Sequence, residues 1–180
     1  MRAPHEDTLE CVLHDAQDVQ WATLRGAYGA SDATDHYRDV PRMLMALANV
    51  DDTDSATWGD AYDDFFLAHV WHQFTIYPVT PVATGFLIRI ASLRSPAAAN
   101  PATQIAVGLR LVAETAATFR KNAEPATRDL GELTAAAFIA HRDYVTTWLS
   151  RLFEEHARAI GSCIPEMNIE PTVQPPRQPT

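Results

Sequence analysis

The chain has 180 residues, 47% of them hydrophobic and 21% charged, an ordinary globular composition with enough length for one real core. Lys and Arg total 14 against 23 Asp and Glu, a formal net charge of −9. That balance argues against nucleic acid and anionic membranes as partners and suits a basic protein partner, and no apolar run approaches the roughly 20 residues of a membrane span.

The N-terminal "MRAPHEDTLECVLHD" puts acids and His where a secretory leader needs a continuous apolar stretch, so a cytoplasmic protein is expected. Cys11 and Cys163 form neither a disulfide framework nor a CxxC pair. Both read as plain thiols, Cys11 on a short helix. From Asp39, "DVPRMLMALANV" has a cap residue and Pro41 in the first turn. Its Val40, Met43, Leu44 and Leu47 follow the i, i+3, i+4, i+7 pattern of one helix face.

A second helix is expected from about Asp54 or Ser55 to about Gln73. A wheel at 100° per residue places Trp58, Tyr62, Phe65, His69 and His72 in one sector. Asp60, Asp63, Asp64, Leu67 and Trp71 fall on the other side. "TPVATGFLIRIASL" opens the next helix, with Thr80 as cap and Pro81 as first helical residue. "NPATQIAVGLRLVAETAATF" repeats the device with Asn100 and Pro101, and Ile105, Leu109, Val112, Ala116 and Phe119 form its apolar stripe.

A long helix is then expected from about Thr127 to about Ile160. Leu130, Leu133, Ala137, Ala140, Tyr144, Trp148 and Leu152 form one stripe, and Phe138, Val145 and Leu149 a second. Gly161 reads as its stop, and Pro165 bars continuation. Residues 164–180 are proline-rich and read as an extended or disordered tail.

"RMLMALANV" from Arg42 and "GFLIRIASL" from Gly85 align with an offset of about 43, the period of the HEAT and armadillo class. Met43, Leu44 and Leu47 then fall on Phe86, Leu87 and Ile90. The expected fold is all-α: a short HEAT/armadillo-like right-handed solenoid of about six or seven helices. It forms one domain over residues 1–163, with repeat units of roughly 37–77, 78–122 and 126–161.

The stretch "HVWHQFTIYPVTP" invites two readings. His69 and His72, three apart, can place two imidazoles on one metal, with His141 or the Glu154, Glu155, His156 group completing the set. The nearby aspartates point away on the wheel, and neither HExxH nor paired Glu-x-x-His occurs. The preferred reading is a structural joint between two repeats. His69, His72, Gln73, Thr75, Tyr77 and Thr80 supply hydrogen bonds at a helix end, and Pro78 and Pro81 fix the chain. No metal or cofactor is assigned.

Six aspartates, Asp51, Asp52, Asp54, Asp60, Asp63 and Asp64, precede it without the EF-hand order. They read either as helix-terminal caps on a solvated face or, with Leu67 and Trp71, as an acidic surface that engages a basic partner. Nucleophile constellations, phosphate loops and dinucleotide fingerprints are absent from the sequence.

"YRDVPRMLMALANVDD" and "AYDDFFLAHVWHQFTIYPVTPVATGFLIRIASL" resemble a family of bacterial HEAT-repeat-like proteins. The matching residues are Asp39, Val40, Pro41 and Leu44, then His72, Gln73, Thr75, Tyr77 and Thr80, then Phe86 and Leu87. "WATLRGAYG" from Trp21 resembles the segment before the family's first repeat, so the likeness covers roughly Trp21 to Leu93. Phe74 stands where the family has Gly, and Gly85 where it often has Pro. Phe74 cannot easily adopt a positive φ, so the turn after the helix is expected to differ.

The resemblance implies a helical scaffold that binds protein and has no catalytic residues. Some family members resemble immunity proteins that neutralise toxins. The expected function is therefore non-catalytic binding, by a cytoplasmic immunity or inhibitor protein whose acidic helical face meets a basic toxin domain. A metal-binding helical enzyme built on His69, His72 and His141 is the rival, and a structural homo-oligomer is a third reading.

Overall fold

Thr8 starts the first helix, its hydroxyl accepting from the Cys11 N–H at 3.2 Å and so satisfying a first-turn donor. The computed structural model describes residues 8–27, 40–48, 61–93, 99–149 and 154–169. Helix α1 (Leu9–Gln17) buries Val12 and Ala16, one turn apart. A 3-10 turn, Trp21–Thr23, then brings the Trp21 indole N–H to the Ala16 carbonyl at 2.8 Å. Helix α2 (Val40–Ala48) follows, and then α3 (Ala61–Val70), which is a π-helix.

Two short strands, β1 (Trp71–His72) and β2 (Thr75–Ile76), pair antiparallel, with Trp71 opposite Ile76 and His72 opposite Thr75. Helix α4 (Thr80–Ser92) comes next, then α5 (Ala99–Arg120) and α6 (Pro125–Ala140). A helical turn α7 (Arg142–Tyr144) runs into a π-helical turn α8 (Val145–Leu149). Helix α9 (Glu154–Cys163) and a 3-10 turn (Pro165–Met167) complete the described chain. The fold is thus mostly helical, as expected, with little strand.

Helix α4 is the centre. Ala83, Thr84, Gly85, Phe86, Leu87, Ile88, Ile90 and Ala91 are all buried, so it is apolar almost all round, as a surrounded helix must be. It packs against α1, α2, α3, α5, α6, α7 and α8. Helix α5 packs on α6 and α9 and buries Ile105, Leu109, Val112 and Ala116 of the expected stripe, with Phe119 half-buried at its end. The aligned pairs Leu44 with Leu87 and Leu47 with Ile90 are all buried. At the edge, Arg89 donates to Asp15 at 2.7 Å and lies 5.8 Å from the Phe86 ring centroid, clamping α1 to α4.

Three expectations change. The long helix from Thr127 breaks at His141, whose φ of −110° and ψ of 22° end α6. Its stripes are met only in part: Tyr144, Phe138 and Val145 are buried, but Leu133 is 59% exposed and Ala140 is exposed, while Gly131, Thr134 and Ala135 are buried in their stead. Small residues face α5 because the backbones approach closely there; a Cβ on Gly131 would sit 2.6 Å from the Arg120 nitrogen. Finally, α9 continues through Gly161 to Cys163. Ile164 and Met167, at the start of the expected tail, are buried, and residues 170–180 of that tail lie outside the described residues. Among the described residues no helix is long and apolar enough to cross a membrane.

Candidate functional site

The stretch from His69 to Pro81 folds into a hairpin after the helix end. Helix α3 stops at Val70, and the chain reverses over Gln73 and Phe74, with φ of 48° and 60°. Two left-handed residues between paired strands are the signature of a type I′ turn, whose twist matches the strands it joins and which favours Asn-Gly. Phe74 therefore does adopt the positive φ expected to exclude it. The turn is imposed by its anchors on either side.

Those anchors are buried. Ile76, Val79 and Thr80 lie in the core. The Thr80 hydroxyl accepts from the Tyr77 N–H at 2.8 Å and donates to the Val70 carbonyl at 2.5 Å, closing the base of the hairpin. Thr80 is thus the first residue of α4 and a staple, where the sequence predicts an N-cap. The Val79 N–H donates to the Arg25 carbonyl at 3.1 Å, tying this corner to the N-terminal segment.

The two aromatics of the hairpin diverge in their environments. The Trp71 indole N–H donates to Thr115 Oγ1 at 2.8 Å, and Thr115 in turn donates to the Leu111 carbonyl on α5. Phe74 is 78% exposed at the tip. Its ring meets Trp71 nearly edge-on, with centroids 5.6 Å apart and planes at 77°. Between hairpin and α5 lies an open groove of about 250 Å³ lined by Trp71, Phe74, Leu111, Glu114, Thr115 and Thr118. At its rim Glu114 Oε1 accepts from Arg110 at 2.7 Å, and Arg110 also lies 3.7 Å from Glu155.

The expected residues are distributed differently from the wheel. Asp51, Asp52, Asp54 and Asp60 lie outside the described residues, Asp64 lies in α3, and Asp63 is exposed. Leu67 and Trp71 are half-buried and pack against the core. His69 is buried in the last turn of α3, whereas His72 lies in β1 with Nδ1 3.2 Å from the Leu67 carbonyl. The wheel misplaces them because a π-helix closes i→i+5 rings and advances by less than 100° per residue. The chain also leaves the helix before His72.

His141 sits at the end of α6, Nδ1 2.8 Å from the Ala137 carbonyl, its ring against Gly85. Among the described residues no three His, Cys, Asp or Glu side chains gather as a metal site would require. Gln73 and Pro78 are exposed, while Thr75 and Tyr77 are half-buried. Tyr62 donates to the Gln104 carbonyl at 3.1 Å; burial, with Asp63 adding to it, pushes its phenol up to about 12. Cys11 and Cys163 form no disulfide, and burial raises the pKa of Cys163.

The sequence marks Trp71 as a candidate for partner binding but gives no sign of Phe74 beside it. The α5 residues opposite were missed as well. The available signal was Glu114, Thr115 and Thr118, polar positions beside the apolar stripe of α5. No family model, curated protein or solved structure matches the chain.

Proposed function

We infer that this chain is a non-catalytic protein-binding scaffold, a short HEAT/armadillo-like stack of helix pairs. Its recognition surface centres on the hairpin tip, with the exposed Asp63 of α3 as a further acidic contact. Its role is that of a cytoplasmic immunity or inhibitor protein that occupies a basic toxin domain. One observation carries the reading: Phe74 is 78% exposed and held at φ 60° beside Trp71. A bulky side chain kept in a costly backbone conformation on the surface serves something other than folding. Trp at the centre of such a patch is a frequent binding anchor.

The repeat reading draws support from the burial of the aligned residues in α2 and α4. It is also supported by α4 packing against α2 and α3 on one side of the chain order and α6 and α8 on the other, as the middle unit of a stack does. The net charge of −9 favours a cationic partner.

The test is co-expression with the basic C-terminal domain of a toxin encoded beside this chain's gene. Cell survival and a stable complex on size-exclusion chromatography are expected, both reduced when Asp63 and Asp64 become Lys. Survival without complex formation, or stoichiometric zinc, iron or manganese in the purified protein, overturns the reading.

A further inference from the structure

We propose that the groove between the hairpin tip and α5 is a receptor for one cationic side chain, an arginine presented by the partner's polypeptide. This deepens the scaffold reading and rests on it. The geometry comes first. Trp71 and Phe74 meet edge-on, so neither ring covers both faces of the other. An aromatic face is electron-rich and attracts a guanidinium lying over it. Trp71 is locked by Thr115, so that face is set in place before anything binds. Phe74 projects from the turn and forms the outer wall.

The charge at the rim selects the occupant. Glu114 is 41% exposed and accepts from Arg110 through Oε1. A carboxylate has about four lone-pair sites, so this bond leaves it capacity for a second donor. Arg110 is itself held between Glu114 and Glu155, and the three groups sum to one negative charge. An acidic or phosphorylated side chain would meet that charge and the net −9 of the whole chain. The exposed Thr118 hydroxyl adds a further acceptor at the rim. Arginine fits better than lysine because its planar fork can stack on a ring and reach a carboxylate at once.

The experiment uses the full 15N-labelled chain and follows the Trp71 indole N–H by NMR, assigned by its loss in Trp71→Phe. The probes are blocked tripeptides Gly-X-Gly with X arginine, its uncharged isostere citrulline, or leucine. The arginine peptide is expected to shift the Trp71 signal saturably, and citrulline and leucine to bind at least about fivefold more weakly. Phe74→Ala, at an exposed position, is expected to keep the fold and weaken arginine binding about fivefold. Glu114→Gln should weaken it several-fold and flatten its dependence on salt.

Equal binding of citrulline or leucine, unchanged affinity in Phe74→Ala, or no shift at all overturns the proposal. The two readings fail separately. A toxin complex that forms undisturbed by Phe74→Ala removes the groove and the hairpin tip as the recognition surface, and leaves a scaffold that binds through another face. Arginine binding without any protein partner removes the scaffold and leaves the groove.

Discussion

At Phe74 the side chain and the backbone want different things. A φ of 60° suits Gly or Asn, and a bulky residue there costs on the order of 1–3 kcal/mol. Gln73, at φ 48°, carries a similar though smaller penalty. Replacing the pair by Asn-Gly matches the residues to the turn. Gln73→Asn with Phe74→Gly is expected to stabilise the fold by about 1 kcal/mol, less the edge-on contact with Trp71. For a chain of this size that is roughly a 2–4 °C rise in Tm. The same variant should lose binding at the groove. A fall in Tm would mean that Phe74 serves the fold after all.

Thr84 poses the opposite problem. It is fully buried on α4, and its hydroxyl finds no hydrogen-bond partner among the described residues. Burying an unpaired hydroxyl costs about 1–3 kcal/mol by protein mutational measures. Thr84→Val keeps the branched shape and removes the polar atom. It should raise stability by about 1 kcal/mol, read as a higher midpoint in urea with an unchanged slope. A lower midpoint would reveal a partner that the hydroxyl needs.

At the scale of elements, close approach outweighs helix propensity. Gly131 lies inside α6, where Gly ordinarily costs about 1 kcal/mol relative to Ala. Its missing Cβ would lie 2.6 Å from the Arg120 nitrogen and 2.9 Å from the Ala116 oxygen. Both are backbone atoms, and neither can swing aside as a side chain does. Gly131→Ala should therefore destabilise by about 2 kcal/mol despite the better propensity. The exposed Ala136 is the control: Ala136→Gly should cost about 1 kcal/mol by propensity alone. If Gly131→Ala proves neutral in a chemical melt, α5 and α6 do not pack this tightly.

That contact also explains what was legible in the sequence. The helices α2, α4 and α5 were readable because leucine, isoleucine and valine mark their buried faces at regular spacing. The buried face of α6 was readable only at Phe138, because the rest of it carries Gly131, Thr134 and Ala135 while Leu133 points outward. Hydrophobic size marks a face only where the neighbouring backbone is far enough away to need filling. The hairpin was hidden for another reason. Gln-Phe is a poor type I′ turn locally, and the anchors that impose it, Thr80 on Val70 and Val79 on Arg25, come from contacts across the fold. Of the site, Trp71 was recognised by type, but its place opposite Thr115 is a tertiary fact.

At the scale of the molecule, Arg120 draws three parts of the chain together. It ends α5, donates to Glu132 on α6 at 3.0 Å, and makes a two-pronged contact with Glu166 in the C-terminal 3-10 turn. Paired forks of this kind are stronger than single contacts. That turn matters because Ile164 and Met167 beside it are buried, so its loss would expose apolar core. The hydrogen bonds from Arg120, and then its own backbone N–H, hold the Glu166 carboxyl below the usual carboxylate range. A group with a lowered folded pKa contributes stability above its unfolded value, near 4.3 for Glu. That contribution disappears as the pH falls through the folded value. Glu166→Gln should accordingly lower Tm at pH 7, and the gap to the parent chain should close steadily below about pH 4. Because the pair is open to solvent, the gap should also narrow in high salt. A gap that stays constant from neutral to acid pH would mean that Glu166 acts by shape, leaving apolar burial of Ile164 and Met167 alone to hold the C-terminal turn against α5 and α6.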